Sequence, residues 1–69
     1  MGSQKALITD VASASITYIG EAAIGMAQSS PFWRIRKLTT TGNIVVTTWA
    51  DVDEEYDNVW NDRATLTYG

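Results

Sequence analysis

Along this chain, short runs of Thr, Val, Ile and aromatic residues alternate with Gly, Asn, Ser and Pro, a spacing that favours strands over helices. Residues 5–9 (KALIT) predict a first strand. Residues 15–21 (SITYIGE) predict a second, with Ile16 and Tyr18 on one face and Thr17 and Ile19 on the other. Residues 32–40 predict a third, placing Trp33, Ile35 and Lys37 on one face and Phe32, Arg34, Arg36 and Leu38 on the other. Residues 44–50 (IVVTTWA) predict a fourth. Between the last two, Thr41-Gly42-Asn43 supplies residues that tolerate positive φ, so these strands form a β-hairpin. Residues 64–68 (ATLTY) predict a fifth, short strand.

Two segments break the rhythm. Residues 22–31 (AAIGMAQSSP) contain the only Pro, and Pro31 biases Ser30 away from helix. The segment reads as a loop, with a short helix as the competing reading, and its Ala22, Ala23, Ile24, Met26 and Ala27 suit a loop that packs. Residues 49–68 gather two Trp, two Tyr and six of the eight acids. There Val52, Tyr56, Val59 or Trp60, and Arg63 fall at helical spacing. Asp51 stands where an N-cap would, and Asp53 to Glu55 would lie in the first turn. This fits either a short helical turn near 52–62 or a structured loop. The whole pattern predicts one all-β domain over residues 1–69, a small antiparallel barrel or sandwich of about five short strands. Ile35, Val45 and Trp49 are expected in its core.

Length changes the picture. A domain of 69 residues buries only about 60% of its unfolded surface and is marginal alone. Small domains compensate with disulfides, a structural metal or association. The chain has no Cys and no His, which leaves association, so a homo-oligomer is expected. Charge narrows the partners. The net charge is −3, and Lys5, Arg34, Arg36, Lys37 and Arg63 are too few to neutralise a phosphate track, which argues against nucleic acid. No apolar run has the length to span a bilayer. The start, Met1-Gly2-Ser3-Gln4-Lys5, lacks the pattern of a secretory signal.

Candidate chemistry is thin. Asp51, Asp53, Glu55 and Asp57 occupy alternate positions of a window ending at Asp62, as in a calcium-binding loop, but Tyr56 stands where the required Gly would be. A solvated acidic loop is the better reading. Serine chemistry lacks an activating His, Gly20 and Gly25 are isolated rather than part of a phosphate loop, and crowded acids on a polar segment suit solvent better than catalysis. No catalytic residue, metal or cofactor is assigned, and the chain is not expected to be an enzyme.

Interfaces are enriched in Trp, Tyr and Arg, and on that ground Arg34, Arg36, Tyr56, Asp57, Trp60 and Arg63 are the candidate contact residues. Trp60, Tyr56 and Arg36 fit a core and an interface equally well. The basic strand (Arg34, Arg36, Lys37) and the acidic segment (51–57) fit either cross-strand pairs inside one subunit or head-to-tail association of copies. Strands this short also leave sheet edges open for pairing.

The residues Tyr18-Ile19-Gly20-Glu21-Ala22, Trp33-Arg34-Ile35, Lys37, Trp49-Ala50-Asp51 and the run Tyr56-Asp57-Asn58-Val59-Trp60, Asp62-Arg63-Ala64, Leu66 and Tyr68 together resemble a group of small uncharacterised proteins encoded among the virion structural genes of tailed bacteriophages. The resemblance spans about residues 16–68, and the run YDNVWNDRATLTY is its most specific part. This chain departs from the group at Val52, where relatives tend to carry Gly, and near Ile24, where they often carry Pro. The resemblance implies a non-enzymatic virion structural or accessory protein of the tail, neck, capsid surface or fibre. Such a protein is made in the host cytoplasm and contacts itself and other virion proteins. The alternative is a small soluble module that recognises a host protein or glycan.

Overall fold

The computed structural model describes residues 5–69; the start read as lacking a secretory signal lies largely in residues 1–4, outside them. Four strands form one antiparallel sheet in the order β1-β2-β3-β4: β1 Lys5–Val11, β2 Ile16–Ala23, β3 Arg34–Thr41 and β4 Ile44–Trp49. The all-β expectation holds. The barrel or sandwich does not, because the sheet is open and among the described residues no second sheet faces it. The fifth strand is also absent: residues 64–68 contribute only an isolated bridge, Ala50 to Tyr68. Among the described residues no helix is long and apolar enough to cross a membrane.

β1 and β4 begin where the alternation predicts, at Lys5 and Ile44, whereas β2 and β3 begin one and two residues later than predicted, at Ile16 and Arg34. β3 and β4 meet at Thr41↔Ile44 across the two-residue turn Gly42-Asn43. Gly42 has φ +61° while Asn43 stays at negative φ, the pattern of a turn with Gly at its first central position, which matches the twist of the flanking strands. Residues 24–32 form a loop without helix, and Met26 packs against the core while Ile24 stays exposed.

Register divides the sheet into two unlike faces. Gly20 pairs with Ile8 on one side and Ile35 on the other, and Tyr18 pairs with Asp10 and Lys37. Tyr18, Ala22, Trp33 and Ile35 therefore share one side, face A, where they are buried with Ala50 and Trp60. Leu7, Ile19, Glu21, Arg34, Arg36, Val45 and Trp49 lie on the opposite side, face B. Val45 and Trp49 consequently cannot join Ile35 in one core: Val45 is exposed and Trp49 only half-buried.

Face A is closed by the chain after β4. Asp51 and Val52 turn it back with φ +58° and +61°, a strained geometry for a β-branched residue. Asp51 is thus a turn residue, not an N-cap, and the 52–62 segment is irregular until a single 3₁₀ turn at Trp60–Asp62. Asn58 and Trp33 exchange backbone hydrogen bonds of 3.0 and 2.9 Å, which carries the chain round the start of β3. Trp60 then drops onto face A, 2% exposed and 6.1 Å from the Trp33 ring centre. Tyr68 reaches Tyr18 at 5.9 Å, and its hydroxyl donates to the Arg63 carbonyl at 2.8 Å.

Candidate interaction face

Among the described residues face B has no such cover beyond the Tyr56 side chain. Leu7, Ile19, Glu21, Arg34, Arg36 and Trp49 line a shallow groove of about 130 Å³ across all four strands. One row runs Thr9, Ile19, Arg36, Trp49 and the next Leu7, Glu21, Arg34, both fixed by the pairing register. Antiparallel sheets commonly leave one face in water, and one that carries exposed large apolar side chains is the candidate for contact.

The charged groups on this face are organised around Arg34. Its Nη2 is ion-paired with Glu21 Oε1, and its guanidinium lies 5.2 Å from the Trp49 ring centre and 5.0 Å from that of Tyr56. Tyr56 donates its hydroxyl to the same Glu21 oxygen at 3.2 Å, and Lys5 Nζ stands 4.9 Å from the Tyr56 ring. Burial alone would raise the Glu21 pKa, but the Arg34 hydrogen bond and charge, the Tyr56 hydroxyl and the Arg36 charge outweigh it and hold the carboxyl below the ordinary glutamate value. Tyr56 is pushed up by loss of solvent and by its bond to Glu21, against the opposing charge of Arg34.

Arg36 is different. Its guanidinium lies 5.9 Å from the Trp49 ring and has no carboxylate partner among the described residues. Its planar group is set against an indole, one side of a site that suits a carboxylate. The acids are distributed in the opposite sense. Asp10 and Glu21 are ion-paired, whereas the acids of 51–57 are exposed and make no salt bridge among the described residues.

Of the six residues read as contact candidates, Arg34, Arg36 and Tyr56 meet on face B, and Asp57 is exposed beside them, accepting from Asn58 Nδ2 at 3.1 Å. Trp60 and Arg63 do not join them. Trp60 is core. Arg63 is committed to the same closure: Nε bonds Asp10 Oδ2 at 2.9 Å, Nη1 bonds the Trp60 carbonyl at 3.1 Å, and the guanidinium lies 4.5 Å from the Trp60 ring. Both belong to the closure of face A rather than to a contact surface. Sequence reasoning missed Leu7, Ile19, Glu21 and Trp49 as members of the face. The alternation of β3 already put Arg34 and Arg36 opposite Ile35, and carrying that parity across the hairpin would have put Trp49 with them.

No protein-family model, curated protein or solved structure matches this chain.

Proposed function

We propose that this chain is a non-enzymatic structural or accessory protein of a phage virion, working by docking through face B onto an acidic surface, the 51–57 segment of a neighbouring copy. The observation that carries the reading is Arg36, an uncommitted guanidinium beside Trp49 on an uncovered, partly apolar sheet face. The complement is on the same molecule: five acids and no base between residues 51 and 57. Where such contacts run head to tail they are heterologous and build rings or chains. The resemblance to small proteins encoded among virion genes supports placing that assembly in a particle.

Native mass spectrometry across a salt series tests it. Wild-type protein is expected to give oligomers that weaken as salt rises, because charge pairs at a surface are screened over about 10 Å at 0.1 M. Arg36→Glu is expected to lose, already at low salt, those oligomers that salt dissolves in the wild type, while keeping its circular dichroism. Oligomers indifferent to both salt and Arg36→Glu would overturn the reading, as would a monomer at every salt concentration.

A further inference from the structure

We infer that β4 is a homodimerisation strand: two copies pair β4 with β4 antiparallel about a two-fold axis through Val46, making one eight-stranded sheet. The argument starts from which backbone groups of β4 are already used. Thr41↔Ile44, Thr39↔Val46 and Lys37↔Thr48 place Ile44, Val46 and Thr48 against β3, and the Ala50 N–H continues that series to Ile35 at 2.9 Å. Alternate residues must point their N–H and C=O the other way, out of the sheet. Trp49 does so and exchanges bonds of 3.0 and 3.1 Å with Gly69, and the Asp51 N–H reaches Thr67 at 2.7 Å. Val45 and Thr47 point the same way and have no backbone partner among the described residues.

The open stretch of edge is thus two outward residues long, bounded by the Gly42-Asn43 turn at one end and by Gly69 at the other. A second β4 fits it in one register. Pairing Val45 with Thr47 of the other copy, and Thr47 with its Val45, makes four N–H···O bonds and uses every free outward group of both strands. Sliding by two residues one way collides with Gly69 on Trp49; sliding the other way demands the turn residue Asn43.

The side chains agree with that occupant. Sheet edges in lone proteins carry Lys, Pro or bulges that block pairing. No charged residue or Pro lies between Lys37 and Asp51, and Ile44, Val45 and Val46 are each at least half exposed. Nothing on the strand repels an identical strand, and Val46 would meet its own copy at the axis. This dimer uses neutral hydrogen bonds and apolar side chains, so it is distinct from the salt-sensitive docking of face B and stands or falls separately.

The chain has no Cys, so single-cysteine variants read the register directly. Under mild oxidation in 0.5 M salt Val46→Cys is expected to form a disulfide dimer, because only residue 46 faces itself, at a separation a disulfide spans. Val45→Cys and Thr47→Cys, which face each other's position, should cross-link far less. Sedimentation supplies the second reading, free of any cross-link. The wild type should be dimeric at high salt, and Val46→Lys, a change at an exposed site, should weaken association by about fivefold or more through facing like charges. A wild type monomeric at 100 µM, preferential cross-linking at 45 or 47, or an undiminished Val46→Lys dimer would each overturn the proposal.

Discussion

Gly20 decides whether face A can close. A Cβ there would lie 2.5 and 2.8 Å from two atoms of the Trp60 ring and 2.9 Å from Ile8 Cγ2. Trp60 is the largest fully buried side chain, and it reaches the sheet because this position carries no side chain. Gly20→Ala is therefore expected to destabilise the domain by about 1–3 kcal/mol, the usual cost of overpacking, read as a lower urea midpoint by tryptophan fluorescence. An unchanged midpoint would mean that Trp60 does not seat on Gly20. In the sequence this glycine was one of two isolated ones with no apparent task, since the ring that requires it is forty residues further on. Val52 carries the opposite burden, a β-branched residue at φ +61° in the turn that starts the closure. A Gly at this position would adopt that φ without strain.

The strands were legible because their signal is local. Ile16 and Tyr18 opposite Thr17 and Ile19, and Trp33 and Ile35 opposite Arg34 and Arg36, follow from alternation alone. The segment that closes face A was not legible as a cover, since it does so with one 3₁₀ turn and isolated bridges, and its aromatic residues read equally well as core or contact. Tyr68 gives that segment a measurable signature. Loss of solvent, then the neighbouring Tyr18, raises its pKa from 10.0 to about 12. Between those values the unfolded chain has released the proton and the folded one retains it, so stability falls as pH rises through that interval and is unaffected by Tyr68 below it. The urea midpoint should fall between pH 10 and 12, and Tyr68→Phe should flatten that fall while costing about 1 kcal/mol at neutral pH through the lost bond to Arg63. A fall equally steep in Tyr68→Phe would place the alkaline sensitivity elsewhere.

At the scale of the molecule the two proposed contacts combine in a definite geometry. A two-fold axis through Val46 runs perpendicular to the sheet, so both copies present face B on the same side, and the dimer carries two Arg36 groups and two acidic segments. If the proposed face B contact runs head to tail, a two-fold dimer bearing two such sites extends into chains of dimers. The contacts differ in origin: one rests on exposed charge, the other on backbone hydrogen bonds and Val and Ile side chains. Salt therefore acts on them in order. As ionic strength rises from about 0.05 to 0.5 M, where the screening length falls well below 10 Å, light scattering after size exclusion should show higher oligomers giving way to dimers, with no monomer. At low salt Arg36→Glu should stop at the dimer, whereas Val46→Lys should keep the charge-dependent contact and at high salt shift the dimer towards monomer. Direct passage of the wild type from higher oligomer to monomer would show a single type of contact and remove the β4 pairing from the scheme, because charge screening alone has no means of dissolving it.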